Sequence, residues 1–239
     1  MTHASRAPFL AVLAASAILT VAPSASHASS ADDLQKVLAR LDASAAKFKS
    51  AQADIVWDHV QVKPIEDDDK QLGSITFERR NGEMQVALRL KTDNGSPVQK
   101  DMVYAGGVGK LYEARLKQLQ VFQVGDKRSE LETFLTLGFG GSGKDLQKNW
   151  IIDYAATEQL NGASTARLNL VPRDPALAKT TPKVILWIDL EKGVALKQQR
   201  FESDGNYVIF TYSNLRLNGS VPSNAFEIKT APGTQTVNH

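Results

Sequence analysis

Gly138 to Lys144 spells G-x-x-x-x-G-K, the opening of a loop that cradles phosphates on backbone N–H groups. That chemistry next needs a Ser or Thr hydroxyl to hold magnesium. The chain supplies Asp145 instead, an acid that repels phosphate. Gly138, Gly140 and Gly143 also fit G-x-G-x-x-G, yet no strand–helix–strand unit surrounds them. The segment before them reads as a helix, where a phosphate-binding loop follows a strand. These patterns argue against a nucleotide site. Gly138, Gly140, Gly141 and Gly143 read instead as a hinge after a short helix, because glycine allows backbone angles that other residues resist.

His59 stands beside Asp58 and near the acidic run Glu66 to Asp69. A catalytic histidine needs a nucleophile and an orienting acid that converge on it, and no Ser-centred elbow is present. The carboxylates are too dispersed to nominate a general acid–base pair, so no catalytic residue is assigned and a binding protein is expected rather than an enzyme. The chain has no cysteine, which excludes disulfides, thiolate metal sites and thiol nucleophiles. Of its four histidines, His3 and His27 fall in the leader described next, leaving His59 and His239. No metal site and no cofactor are expected.

Arg6 followed by the apolar stretch Ala7 to Ala22, then the small residues of Ser26-His27-Ala28, reads as an export signal cut after Ala28. The stretch falls short of the ~20 apolar residues of a membrane span. No cysteine at the cut offers a lipid anchor. Residues 29–239 are expected to form one soluble domain in an extracytoplasmic space. The whole chain carries 28 basic and 26 acidic residues, and the leader holds only Arg6, so the mature protein is close to neutral. No strong field steers it to nucleic acid or to a membrane surface.

The elements that must position any site are mostly strands. Leu34, Val37, Leu38, Leu41, Ala45 and Phe48 recur at helical spacing, with Ser30 and Asp33 as a capping box. Ile75 and Phe77, then Met84, Val86, Leu88 and Leu90, then Val208, Phe210 and Tyr212 alternate with other side chains and predict half-buried strands. Val184 to Ile188 is apolar on both faces, which suggests a strand covered on both sides. Asn81-Gly82, Asn94-Gly95, Asn161-Gly162 and Asp204-Gly205 mark turns. The pattern gives about eleven strands, joined by connections mostly too short for crossovers and so expected to pair antiparallel. Pro64 to Lys70 reads as a solvated acidic loop. Asp126 to Leu137 reads as a short helix with Leu131, Phe134 and Leu135 on one face.

This order of elements resembles the LolA/LolB-like family of bacterial lipoprotein carriers. An amphipathic helix (residues 32–49) precedes a strand around Ile55 and Trp57. Gly73 to Arg80 (GSITFERR) looks like the family's glycine, alternating strand and arginine. Gly109 to Tyr112 (GKLY) followed by Gln118 to Val121 (QLQV) looks like its hairpin. Ile188-Asp189, Leu196 and Asp204-Gly205 match its late hairpin. Pro222 to Ile228 (PSNAFEI), Pro232-Gly233 and Val237 match its C-terminal signature. The chain departs from the family at Arg80, where a proline is usual, in the acidic insertion before Gly73, and in the glycine-rich segment that lacks the usual proline.

The resemblance implies an incomplete antiparallel β-barrel with helices over its open side, mainly β in class, and an apolar cavity between sheet and helices. It implies a periplasmic monomer that carries acylated lipoproteins or lipid. Its partners would be an inner-membrane lipoprotein-releasing transporter and an outer-membrane acceptor. The cavity and its gate would be formed by Ile55, Trp57, Ile75, Phe77, Leu131, Phe134, Leu135 and Arg79. Arg79 occupies the family's arginine position and shares strand parity with Ile75 and Phe77, so it is expected to point inward, with Arg80 toward solvent. A carrier needs such a cavity because a bare acyl chain costs ~0.8 kcal/mol per CH₂ in water, or ~12 kcal/mol for a chain of roughly fifteen. A general hydrophobic-ligand binder and an envelope-stress sensor of the same fold are the alternatives. The sensor would carry a further C-terminal domain, and the end of the chain soon after Val237 favours the carrier.

Overall fold

Local alternation and hairpin turns account for most of the architecture. The computed structural model describes residues 25–63, 67–125 and 128–239. Residues 1–24 of the expected leader lie outside these. Helix α1 spans Ala25–Lys47. It starts before the expected cap, so Ser30 and Asp33 lie within the helix rather than at its beginning. Ala25 and Ala28 offer no reason to stop earlier, alanine being the best helix former.

Six strands follow: β1 (Ser50–Gln61), β2 (Asp67–Arg80), β3 (Glu83–Asp93), β4 (Ser96–Ala105), β5 (Val108–Glu113) and β6 (Gln118–Gln123). Three short helices interrupt or punctuate the second half: α2 (Arg128–Leu135), α3 (Gly143–Asn149) and α4 (Pro175–Thr180). The remaining strands are β7 (Trp150–Leu160), β8 (Ala163–Pro172), β9 (Lys183–Asp189), β10 (Ala195–Phe201), β11 (Tyr207–Leu217) and β12 (Gln235–Asn238). All twelve form one sheet in the order β12-β6-β5-β4-β3-β2-β1-β11-β10-β9-β8-β7. Its two ends do not pair with each other, so the barrel is incomplete and the helices cover the open side. The Asn-Gly pairs at 81–82, 94–95 and 161–162 all take positive φ, the geometry of tight hairpin turns that match strand twist.

Three expectations need correction. Asp67 to Lys70 is not loop but the start of β2, laddered against Asp58 to Gln61 of β1. The acids stay exposed, so the ladder forms at no desolvation cost; Pro64 to Glu66 lie outside the described residues. Pairing is antiparallel except between β12 and β6, which run parallel. The cause is a long return: residues 218–234 cross the outer face of the sheet as a strap. Arg89 Nη2 donates to the carbonyls of Ala225 and Glu227, and Tyr112 Oη accepts from the Ala231 N–H at 2.9 Å. Helices α3 and α4 are additions to the two helices the pattern suggested.

The core lies on the concave side. The α1 stripe of Val37, Leu38 and Leu41, with Phe48 just past the helix, is buried in one cluster with Ala51, Ala53 and Ile55 of β1, Phe77 of β2 and Leu168, Leu186 and Ile188 of β8 and β9, and Ala45 of α1 is buried as well. Each large apolar side chain buried this way contributes about 1.5–3 kcal/mol.

Candidate functional site

Parity along neighbouring strands turns one apolar row inward, and at one end of the sheet this row is not filled by α1. There the structure holds a cavity of about 440 Å³. Its walls are Trp57 (β1), Ile75 and Phe77 (β2), Val86 and Leu88 (β3), Met102 and Tyr104 (β4), Leu111 (β5), Phe122 (β6) and Phe210 and Tyr212 (β11). Helix α2 covers it with Leu131, Phe134 and Leu135, three residues that share one helical face. The lining reaches the half-exposed Phe122 and the exposed Lys110. Trp57 and Phe210 meet with ring centroids 5.5 Å apart. Burial alone pushes the Tyr212 phenol up, so it stays neutral.

Helix α2 has only eight residues, too few to be stable alone in water. Polar tethers fix it. Tyr104 Oη donates to Glu132 Oε1 at 2.8 Å, and Arg128 bridges Glu132 and Glu83 at 2.8 and 2.7 Å. Just beyond the helix, Gln198 Nε2 of β10 donates to the Leu137 carbonyl at 2.6 Å. Burial first, and then the bond to Glu132, push the Tyr104 phenol up to about 12.

Arg79 lies on the inner side of β2 with Ile75 and Phe77, yet outside the cavity. Its Nη1 donates to the Ala45 carbonyl in the last turn of α1 at 2.9 Å, and its Nη2 donates to the Gly140 carbonyl. Its guanidinium sits 5.6 Å from the Phe48 ring centroid. Arg80 points away, paired with Glu78 at 2.9 Å and half exposed. Arg79 therefore joins three elements: β2, the end of α1 and the glycine segment after α2.

That segment is tightly packed. Gly138 and Gly140 have φ of 84° and 75°. A Cβ on Gly138 would lie 2.3 Å from Ala195 Cβ, one on Gly141 2.6 Å from the Thr136 carbonyl oxygen, and one on Gly143 2.4 Å from that of Leu38. The close approach lets Phe139 insert, fully buried, between the Phe77 ring (4.6 Å, stacked) and the Tyr212 ring (4.9 Å, edge-on). The Asp145 that spoils the phosphate motif has a local task. It closes a capping box with Ser142 at the start of α3, where Asp145 N–H donates to Ser142 Oγ at 3.0 Å. His59 faces Glu202 at 3.8 Å on the surface. No group of three or more His, Cys, Asp or Glu side chains suited to a metal occurs among the described residues.

Of the residues singled out in the sequence, Trp57, Ile75, Phe77, Leu131, Phe134 and Leu135 line the cavity together. Ile55 is packed in the core beside it, and Arg79 and the four glycines stand behind the covering helix. Sequence reading missed Met102, Tyr104, Leu111 and Phe122 on β4 to β6, although inward parity was available in each strand. It also missed Gln198 and Arg200 on β10, polar residues on an otherwise apolar face.

No family model matches the sequence, and no curated protein matches it. Solved structures do. MucB aligns over 83% of this chain at 14% identity and a TM-score of 0.51. An uncharacterised conserved protein from Thermus thermophilus aligns over 87% of this chain and 99% of its own, at 9% identity and a TM-score of 0.54. The fold is that of the Thermus protein and of the matched part of MucB. This chain spans 63% of the length of MucB. A LolA superfamily protein from Nitrosomonas europaea also matches, over 82% of this chain and 97% of its own, at 12% identity and a TM-score of 0.39. At such identities the likeness to MucB and the Thermus protein is one of fold alone. No helix among the described residues is long and apolar enough to cross a membrane.

Proposed function

We propose that the protein is a periplasmic carrier that shelters acyl chains of lipoproteins or lipids and delivers them toward the outer membrane. The observation that carries this reading is the 440 Å³ apolar cavity under a short helix held by polar tethers. An acyl chain left in water costs ~0.8 kcal/mol per CH₂, and such a wall offsets that cost without chemistry. The tethers on α2 are few, and Arg128 and Glu132 are partly exposed, which suits a cover that yields to an incoming chain. Arg79 ties the segment behind α2 to α1 and serves as the latch of the empty form. A transporter in the inner membrane would load the protein and an acceptor in the outer membrane would unload it.

The experiment is recovery of the protein from the periplasm, followed by native mass spectrometry and rebinding of an acylated peptide after delipidation. Bound acyl species that the peptide displaces support the carrier. A protein that arrives empty and binds neither acylated peptide nor fatty acid removes this reading. Filling the cavity, for example with Leu88→Trp, should abolish rebinding while the protein still folds.

A further inference from the structure

Among the described residues, two hydroxyl side chains belong to the cavity wall, Tyr104 and Tyr212. They are situated differently. Tyr104 Oη donates to Glu132, and in the same wall the Gln198 carboxamide gives its Nε2 to the Leu137 carbonyl. Tyr212 is only 5% exposed, and its hydroxyl meets no hydrogen-bond partner among the described residues; burial is the sole cause that raises its pKa. Buried tyrosine hydroxyls ordinarily find a partner, because an unbonded one has given up water without return. Tyr212 pairs with Ile55 across β11 and β1, and its ring packs edge-on against the fully buried Phe139. It therefore stands where the cavity meets the packed core. A phenylalanine there would fill the same space and make the same ring contact, so packing does not account for the oxygen.

We propose that Tyr212 is a specificity-determining residue of the cavity, its hydroxyl donating to an oxygen that the ligand carries inside. The proposal rests on the acyl-binding reading above and names the ligand class of that site: an acyl chain with an oxygen acceptor at the depth of Tyr212, not a bare hydrocarbon tail. Two sources share this chemistry. One is a hydroxyl set along the chain, and the other is the carbonyl or carboxyl oxygen of a chain that enters by that end. A neutral phenol donates to either. A chain with methylenes alone at that depth leaves the hydroxyl unbonded, and a site built around a hydrogen bond disfavours a ligand that cannot make it. The remainder of the wall near Tyr212 is apolar, with Phe77, Leu137 and Phe210, so it adds contact area without competing for the bond.

The test is calorimetric titration of the delipidated full protein and of Tyr212→Phe with three probes of equal chain length: an unsubstituted fatty acid, a fatty acid hydroxylated at mid-chain, and an alkyltrimethylammonium, which carries no oxygen. In Tyr212→Phe at least one acid should lose about five- to tenfold in affinity, the worth of one hydrogen bond, while the ammonium changes by less than about twofold. Loss confined to the hydroxylated acid assigns the bond to a hydroxyl on the chain. Equal loss for both acids assigns it to the carboxyl oxygen. The denaturant midpoint of the ligand-free variant should be no lower than that of wild type, since the ring and its contact with Phe139 remain. A lower midpoint gives the hydroxyl a structural task and overturns the proposal. An ammonium that loses as much as the acids, or affinities unchanged for every probe, overturns it as well. If no probe binds wild type, the acyl-binding reading fails instead.

Discussion

Tyr104 on the inner face of β4 donates its phenol proton to Glu132 of α2, 2.8 Å away across the mouth of the cavity. The bond ties a helix that cannot stand alone to the wall it covers. Replacing Tyr104 with Phe keeps the ring and removes the donor. It should cost about 1 kcal/mol, the net worth of such a bond, and speed ligand release about fivefold. Stopped-flow displacement of a bound fluorescent fatty acid measures this. A release rate equal to wild type removes the tether from gating.

The same bond has a pH signature. Tyr104 is pushed up to about 12 from an ordinary value of 10.0, first by burial and then by Glu132. The fold thus favours the neutral phenol. Its contribution is complete below pH 10 and is lost as pH rises toward 12. Wild type should lose thermal stability over that interval more steeply than Tyr104→Phe, with phenolate absorbance rising in step. Parallel melting curves for the two proteins would contradict this assignment.

How much of this was legible in the sequence depends on the range of the interaction. Alternation in Met84 to Leu90 and the Asn-Gly turns are local signals, and they placed the strands and their inner faces. The strap is not local. Residues 218–234 have no period because Arg89, Gln99 and Tyr112 hold them from strands more than a hundred positions away. Helix α3 carries a single buried leucine, Leu146, and its cap Ser142 sits inside a pattern that reads first as a phosphate loop. The cavity is legible only in part, since Ile55 and Ile75 look alike in sequence. One fills the packed core and the other faces a void, and the difference lies in how much volume α1 and Phe139 leave over.

Arg79→Leu separates the latch from ordinary surface charge. It leaves the Ala45 and Gly140 carbonyls without their donor, at a cost of about 1–3 kcal/mol. Because the proposed latch joins α1 to the segment behind α2, its loss should favour the loaded form. Loading should persist while transfer to an acceptor slows. Arg80→Leu, which gives up only an exposed pair with Glu78, should do neither. A reconstituted release assay with both variants decides. Equal behaviour of the two would end the latch.

Asp189 should contribute to acid stability at the β9–β10 turn. It is 1% exposed at the β9–β10 turn, and it accepts the N–H groups of Glu191 and Lys192 at 2.8 Å each and Lys192 Nζ at 2.9 Å. Burial alone would raise its pKa, but these donors outweigh it and hold the carboxyl below its usual range. A depressed value means stability that is present above the unfolded value near 3.8 and is lost as pH falls below it. Asp189→Asn should cost about 1–3 kcal/mol at neutral pH and flatten the acid limb of the stability curve. An acid limb identical to wild type would place the acid-sensitive group elsewhere.

The glycine segment can be tested as a hinge or as a packing device by one comparison. Gly140 and Gly82 share a positive φ, 75° and 84°. They differ in surroundings. A Cβ on Gly82 would meet nothing within 4 Å, whereas one on Gly140 would lie 2.8 Å from Phe48 Cδ1 and 2.9 Å from Met84 Cε. Backbone strain is therefore common to both alanine variants, at about 1 kcal/mol or more each. The clash belongs to Gly140 alone and adds about 1–3 kcal/mol of overpacking. If the segment is held by packing, denaturant unfolding should show Gly140→Ala less stable than Gly82→Ala by about that margin, with ligand exchange little changed. A hinge behaves otherwise: the two variants would have similar stability, because a segment that moves can relieve the contact, and Gly140→Ala would slow exchange.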